Sequence, residues 1–218
     1  MIADEGGTAT VYECDITNEA HCALLATQLR SSGGLDVLYN GVGILGYGAP
    51  TDLTEADWDT VMDVNLKGMW MTCKHLLPLM LEQGRGGSIV NISSIGALRG
   101  LTPAYCASKA GVNALTTVLA GTYAPDDIRV NAIMPGMIDT PMGVDHLLAR
   151  RGGNREELVA QRAERVPMAY KGSAWDIAFA ALYFASDESR YTSGAILPVD
   201  GAVGAVAPSI PMRLASDG

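Results

Sequence analysis

The sequence predicts an α/β fold, a doubly wound parallel sheet with helices on both faces. Two observations predict it. Short apolar runs alternate along the chain with longer segments of helical periodicity, the pattern of parallel strands joined by helical crossovers. Composition agrees, since 48% hydrophobic residues and 25 glycines among 218 residues suit one tightly packed soluble domain. No internal repeat interrupts the alternation.

In chain order, residues 8–14 read as a short strand, and 18–31 as a helix with Ala20, Leu24, Leu25 and Leu29 on helical spacing. Thr17 is the candidate cap of that helix. The turn Ser31-Ser-Gly-Gly34 leads into a strand over 35–39. Thr54-Glu-Ala-Asp57 has the form of a capping box and opens a long helix to Gln83. A strand over 87–93 follows, then a helix over 103–123 whose Pro103 suits a first turn, then a strand over 128–133. Residues 137–170 read as a loop with short helices, one of them over 155–166. Ser173 caps a helix over 174–186, and 195–199 is the last strand. A single domain over 1–201 is expected, with 202–218, rich in Ala and Pro, as a loose or partner-contacting tail.

Composition excludes several function classes. A net charge of −9 argues against a nucleic-acid surface and against anionic membranes. No apolar run approaches the roughly 20 residues of a membrane helix, and no basic leader precedes an apolar block. Cys14, Cys22, Cys73 and Cys106 lack metal-ligand spacing and read as reduced thiols of a cytoplasmic chain. His21, His75 and His146 fall in no constellation, so no metal site is expected.

The chemistry concentrates between Asn91 and Lys109. Ser93 and Ser94 stand at the carboxyl end of a buried strand, where open α/β sheets carry their ligands. Tyr105 and Lys109 follow, one turn apart on one helix face. A phenol with a free pKa of about 10 is a poor base at neutral pH. A cation one turn away favours the phenolate and lowers that pKa, and a serine hydroxyl can hold the oxygen that exchanges the proton. A bare Tyr-x-x-x-Lys is better explained by a solvated helix face; the strand and Ser-Ser ahead of it reverse that and favour the catalytic reading. Residues 41–46 match G-x-G-x-x-G after a strand, but Tyr47-Gly-Ala-Pro50 follows instead of a helix, so no pyrophosphate site is expected there.

Seven segments, in one order, resemble the short-chain dehydrogenase/reductase family, of the common alcohol dehydrogenase and carbonyl reductase type. They are Cys14-Asp-Ile-Thr17, Asp36-Val-Leu-Tyr-Asn-Gly-Val-Gly43, Val64-Asn-Leu-Lys-Gly68, Asn91-Ile-Ser-Ser94, Tyr105-Cys-Ala-Ser-Lys109, Arg129-Val-Asn-Ala-Ile-Met-Pro-Gly136 and Ser193-Gly-Ala-Ile-Leu-Pro-Val-Asp-Gly201. The resemblance covers nearly the whole chain. It implies a Rossmann-like sheet, an NAD or NADP cofactor, and a small secondary alcohol or ketone as substrate. By resemblance, Asn65, Ser94, Tyr105 and Lys109 are catalytic, and Asn65 organises a water linking the lysine to solvent. Ser94 is preferred to Ser93 because Ile-Gly-Ala follows it as the family's short turn does. The resemblance places Asp15 toward an adenine ring, although a turn ahead of the next helix explains it equally well. Asn40, Gly41 and Gly43 would lie against the cofactor, where Gly41 and Val42 depart from the family's Asn and Ala. Pro135 and Gly136 would lie beside the nicotinamide, Ile138 and Thr140 match the positions that hold its carboxamide, and Tyr105 and Lys109 would also contact the cofactor. Segment 137–170 would cover the substrate. The helices over 54–83 and 103–123 imply a homodimer or homotetramer.

One departure is large. The chain opens where the resemblance places the end of the family's second helix, so roughly 50 residues of the pattern, with its glycine-rich phosphate turn and the residue separating NAD from NADP, are not matched. Met1 resembles an internal methionine, and the expected sheet is truncated at its amino end by two strand–helix units. Strands lie about 4.8 Å apart, so the strand at 8–14 is expected to pair directly with that at 35–40 or to leave a poorly ordered end. Oxidoreduction is therefore set beside two alternatives, a cofactor-free lyase or isomerase using the same Tyr/Ser/Lys group, and an inactive packing partner.

Overall fold

The computed structural model describes residues 2–99 and 102–205. In chain order the elements are α1 (Glu19–Ser31), β1 (Val37–Asn40), α2 (Glu55–Met62), a π-helical turn (Asp63–Lys67), α3 (Gly68–Gln83) and β2 (Gly87–Ile92). They continue with α4 (Pro103–Tyr123), β3 (Ile128–Pro135), β4 (Ile138–Asp139), a second π turn (Pro141–Asp145), α5 (His146–Arg151) and α6 (Arg155–Ala163). Last come β5 (Gly172–Ser173), α7 (Ala174–Ala185) and β6 (Ile196–Val199). The four-stranded sheet runs β1-β2-β3-β6, every pair parallel, and β4 and β5 form a separate parallel pair. The α/β prediction holds.

Strand side chains alternate between faces. Leu38, Ile89 and Val130 pack with Leu76, Leu77, Leu79 and Met80 of α3, and with Ala26 of α1 and Ala120 of α4, in one core. Val90 and Ile133 face the other way and pack with Ile177 and Phe184 of α7. The central strands β2 and β3 are thus covered on both faces, as their nearly unbroken apolar runs require. Each fully buried aliphatic side chain contributes about 1.5–3 kcal/mol.

Helix boundaries follow capping chemistry. Thr54 accepts a hydrogen bond from the Asp57 amide at 3.1 Å and donates to its carboxylate at 2.6 Å. Ser173 and Asp176 complete a reciprocal capping box at the start of α7. Gly84, in the left-handed region at φ 63°, ends α3. At α1 the cap is Asn18, not Thr17: its side chain accepts from the Ala20 amide at 3.0 Å, while Thr17 bonds to Asp15.

Residues 8–14 correct the sequence reading. They form no strand, and among the described residues β1 pairs only with β2. A strand is stable only against a hydrogen-bonding neighbour, and β propensity does not supply one. Ile16, just beyond, does pack: a Cβ on Gly68 would come within 2.8 Å of its side chain. The expected tail falls mostly on residues 206–218, outside the described residues. No helix among the described residues is long and apolar enough to cross a membrane.

Candidate active site

The site forms where β2 ends and α4 begins. Ser93 and Ser94 follow β2 in extended chain, so they diverge. The Ser93 hydroxyl donates to the Lys109 carbonyl at 3.0 Å, which ties the strand end to α4. Ser94 points elsewhere: its oxygen accepts from the Gly96 amide at 3.0 Å, and its hydroxyl is near enough to Tyr105 to draw the phenol's pKa down. Pro103 occupies the first turn of α4, as expected, and fixes the phase that sends Tyr105 and Lys109 inward. Both are buried, at 7% and 4% exposure. The Lys109 amine lies 5.9 Å from the Tyr105 ring centroid and donates to the Ile92 carbonyl at 2.8 Å.

Asn65 lies inside the first π turn and is fully buried, not on a solvated face. Single π turns inside helices recur at functional sites. Its oxygen accepts from the Ile44 amide at 2.8 Å, and its nitrogen donates to the Ile44 carbonyl at 3.0 Å and to Ser108 Oγ at 3.1 Å. Ser108 in turn donates to the Tyr105 carbonyl at 2.8 Å. Gly43 sits between the two groups, since a Cβ there would stand 3.3 Å from both Asn65 Oδ1 and Lys109 Nζ. Asn65 therefore pins the loop after β1 to the face of α4 that carries Tyr105 and Lys109.

The electrostatics revise one expectation. Burial is the largest influence on the Tyr105 phenol and pushes it up; the Ser94 hydroxyl draws it partly back, and the Cys106 thiol adds a smaller rise. Lys109 does not reverse this. Burial drives its own amine down from 10.5 to about 8, and its hydrogen bond points to a backbone carbonyl rather than the phenol.

The remaining candidates divide. The Asn40 amide is spent inside the protein, donating to Asn91 at 2.9 Å and accepting from Thr72 at 2.8 Å, so only its backbone is free to meet a ligand. Gly41 is exposed, and no helix opens after Gly46, in keeping with the rejection of a phosphate turn there. Pro135 ends β3, Gly136 follows against Asp200, and Ile138 lies in β4. Thr140 caps the next segment by accepting from the Gly143 amide at 3.1 Å. Asp15 is exposed, with its carboxylate turned onto Thr17 at 2.8 and 2.9 Å and held below the usual range by those bonds. No bond joins it to the serine–tyrosine–lysine group. Ser108 escaped the sequence reading although it sits within Tyr-Cys-Ala-Ser-Lys. Its period on α4 matches Tyr105 and was the available signal.

Comparison with known proteins agrees with this architecture. The family model described as Enoyl-(Acyl carrier protein) reductase matches residues 1–203. Glucose 1-dehydrogenase 2 of Bacillus subtilis is 37% identical over 205 residues, which is 92% of this chain and 77% of that protein. The ligand-free aldohexose dehydrogenase of Thermoplasma acidophilum superposes with a TM-score of 0.87 at 33% identity, over 94% of this chain and 83% of that one. A solved structure from Agrobacterium tumefaciens with bound NADP superposes at 0.81 with 36% identity, over 94% and 80% of the two chains.

Proposed function

The chain belongs to the short-chain dehydrogenase/reductase family of oxidoreductases, and on that premise we propose that it transfers a hydride between NAD or NADP and a secondary alcohol or ketone. Tyr105 is the general acid/base, Ser94 holds the reacting oxygen, Lys109 supports the phenol, and Asn65 supports the proton relay. One observation carries the reading: a buried phenol with a buried amine 5.9 Å from its ring and a serine hydroxyl near enough to draw its pKa down.

The donor set fits a nucleotide. Among the described residues Lys109 makes one hydrogen bond, to Ile92, which leaves N–H donors for a ribose beside Tyr105. Asn40, Gly41 and Gly43 on one side and Pro135, Gly136, Ile138 and Thr140 on the other would hold the rest, with Asp15 toward the adenine. When bound, the nicotinamide supplies the hydride in reduction and accepts it in oxidation.

The geometry supports the following part for the protein in reduction. Ser94 donates to the carbonyl oxygen, and Tyr105 passes its proton to that oxygen as the carbon–oxygen double bond becomes an alcohol. The phenolate left behind is reprotonated from Lys109, whose amine, at about 8, gives up and regains a proton near neutral pH. Asn65, packed against the same glycine as Lys109, continues the relay. Segment 137–170 covers the substrate. Trp58, Trp70 and Val118, exposed on α2, α3 and α4, support a homodimer or homotetramer through those helices.

Loss or gain of reduced-nucleotide absorbance with a panel of ketones and secondary alcohols tests the reading. Tyr105→Phe is expected to lower turnover by about 10²–10⁴. Wild-type turnover in that variant, or carbonyl chemistry that proceeds without nucleotide, overturns it.

A further inference from the structure

Two segments that leave the catalytic group meet again beyond it. The loop after β1 touches Lys109 and Asn65 at Gly43, packs Ile44 and Leu45 with Tyr105, and reaches Tyr47. The segment after β3 passes Thr140 and enters α5. There the His146 ring stacks on Tyr47, with centroids 4.6 Å apart and an interplanar angle of 17°, and the Arg150 guanidinium lies 4.0 Å from the Tyr47 ring centroid. Four residues of chain span at most about 14 Å, so the cluster stands within reach of the Lys109 amine.

Two further observations point to a ligand. The Tyr47 hydroxyl is buried and has no hydrogen-bond partner among the described residues, a costly arrangement unless something else satisfies it. Arg150 has no carboxylate partner among the described residues, whereas Arg155, five positions on, holds both Asp139 and Asp145. Arg150 thus keeps its donors free of any carboxylate while its guanidinium carbon sits 4.0 Å from the centre of an aromatic ring.

We propose that Tyr47, His146 and Arg150 form the far end of the substrate pocket and select alcohols or ketones that carry a carboxylate. The Arg150 guanidinium takes the carboxylate in a two-pronged hydrogen bond, and the Tyr47 hydroxyl donates to it. This rests on the hydride-transfer reading, because the carbonyl end of the same molecule must reach Tyr105.

The test is a titration of straight-chain keto acids of increasing carbonyl-to-carboxylate separation, and of their methyl esters, followed by saturation-transfer NMR with and without NADH or NADPH. At one chain length the acid is expected to bind about tenfold more tightly than its ester. Arg150→Leu brings the two within about twofold, Arg150→Lys keeps part of the preference, and Tyr105→Phe keeps all of it. Circular dichroism confirms that each variant is folded. Equal binding of acid and ester at every length, or a preference that survives Arg150→Leu, overturns the proposal. Acid preference without nucleotide-dependent turnover leaves this site standing and removes the hydride-transfer reading alone.

Discussion

Strands β1 and β2 run side by side in one sheet, yet their surroundings differ. In β2, Ile89 and Val90 point to opposite faces and both are fully buried. In β1, Leu38 is buried on the face shared with Ile89, while Val37 and Tyr39 on the other face are 40% and 50% exposed. Those two side chains and Ala174, Ala178, Ala181 and Leu182 of α7 line an open apolar groove of about 360 Å³. The difference teaches where the proposed catalytic group is anchored. Ser94, Tyr105 and Lys109 hang on the end of β2 and on α4, the half of the sheet packed on both faces, and the loop from β1 is brought to them by Asn65.

The largest expected effect that would break this contrast is catalytic. Tyr105→Phe, in the buried half, should cost about 10²–10⁴ in turnover, whereas Tyr39→Phe, on the open face, should leave the rate within about twofold. Comparable losses from both would dissolve the distinction. Next comes stability. Ile89→Ala removes a fully buried side chain and should cost about 2–5 kcal/mol in urea unfolding.

Acidity sharpens the contrast further. Lys109 gives up its proton near 8 in the folded chain, well below its ordinary 10.5. Between those values the unfolded chain holds one more proton, so stability from this group rises with pH across the window and is lost as pH falls back through it. Below about 8 both states are protonated and the slope vanishes. Lys109→Met should therefore remove a gain of roughly 3 kcal/mol between pH 8 and 10.5. An unchanged pH profile in the variant would mean that the amine is not desolvated. The smallest effect is at the edge: Val37→Thr should change stability by less than about 0.5 kcal/mol, and a loss near that of Ile89→Ala would show that something covers the open face in solution.

Sequence alone carried much of this. Periodicity marked α1, α4 and β3, Pro103 marked where α4 starts, and the four-residue interval put Tyr105 and Lys109 on one face, because these depend on local geometry that side-chain spacing records. The turn after Ser94 sets it apart from Ser93, and in the fold the two hydroxyls take different partners. Tertiary structure decided the rest. Residues 8–14 have strand propensity but no neighbour to bond, so they form no strand. Asn65 was marked by resemblance, but only the fold shows the π turn that buries it against Ile44 and Ser108. The phenol was expected to be lowered by its lysine, yet burial, a property of the whole packed molecule, raises the one and lowers the other. His146 and Arg150 share the same four-residue interval, but nothing along the chain ties them to Tyr47; only the folded chain brings the three together, because long-range contacts are set by how elements pack and not by any interval written along the chain.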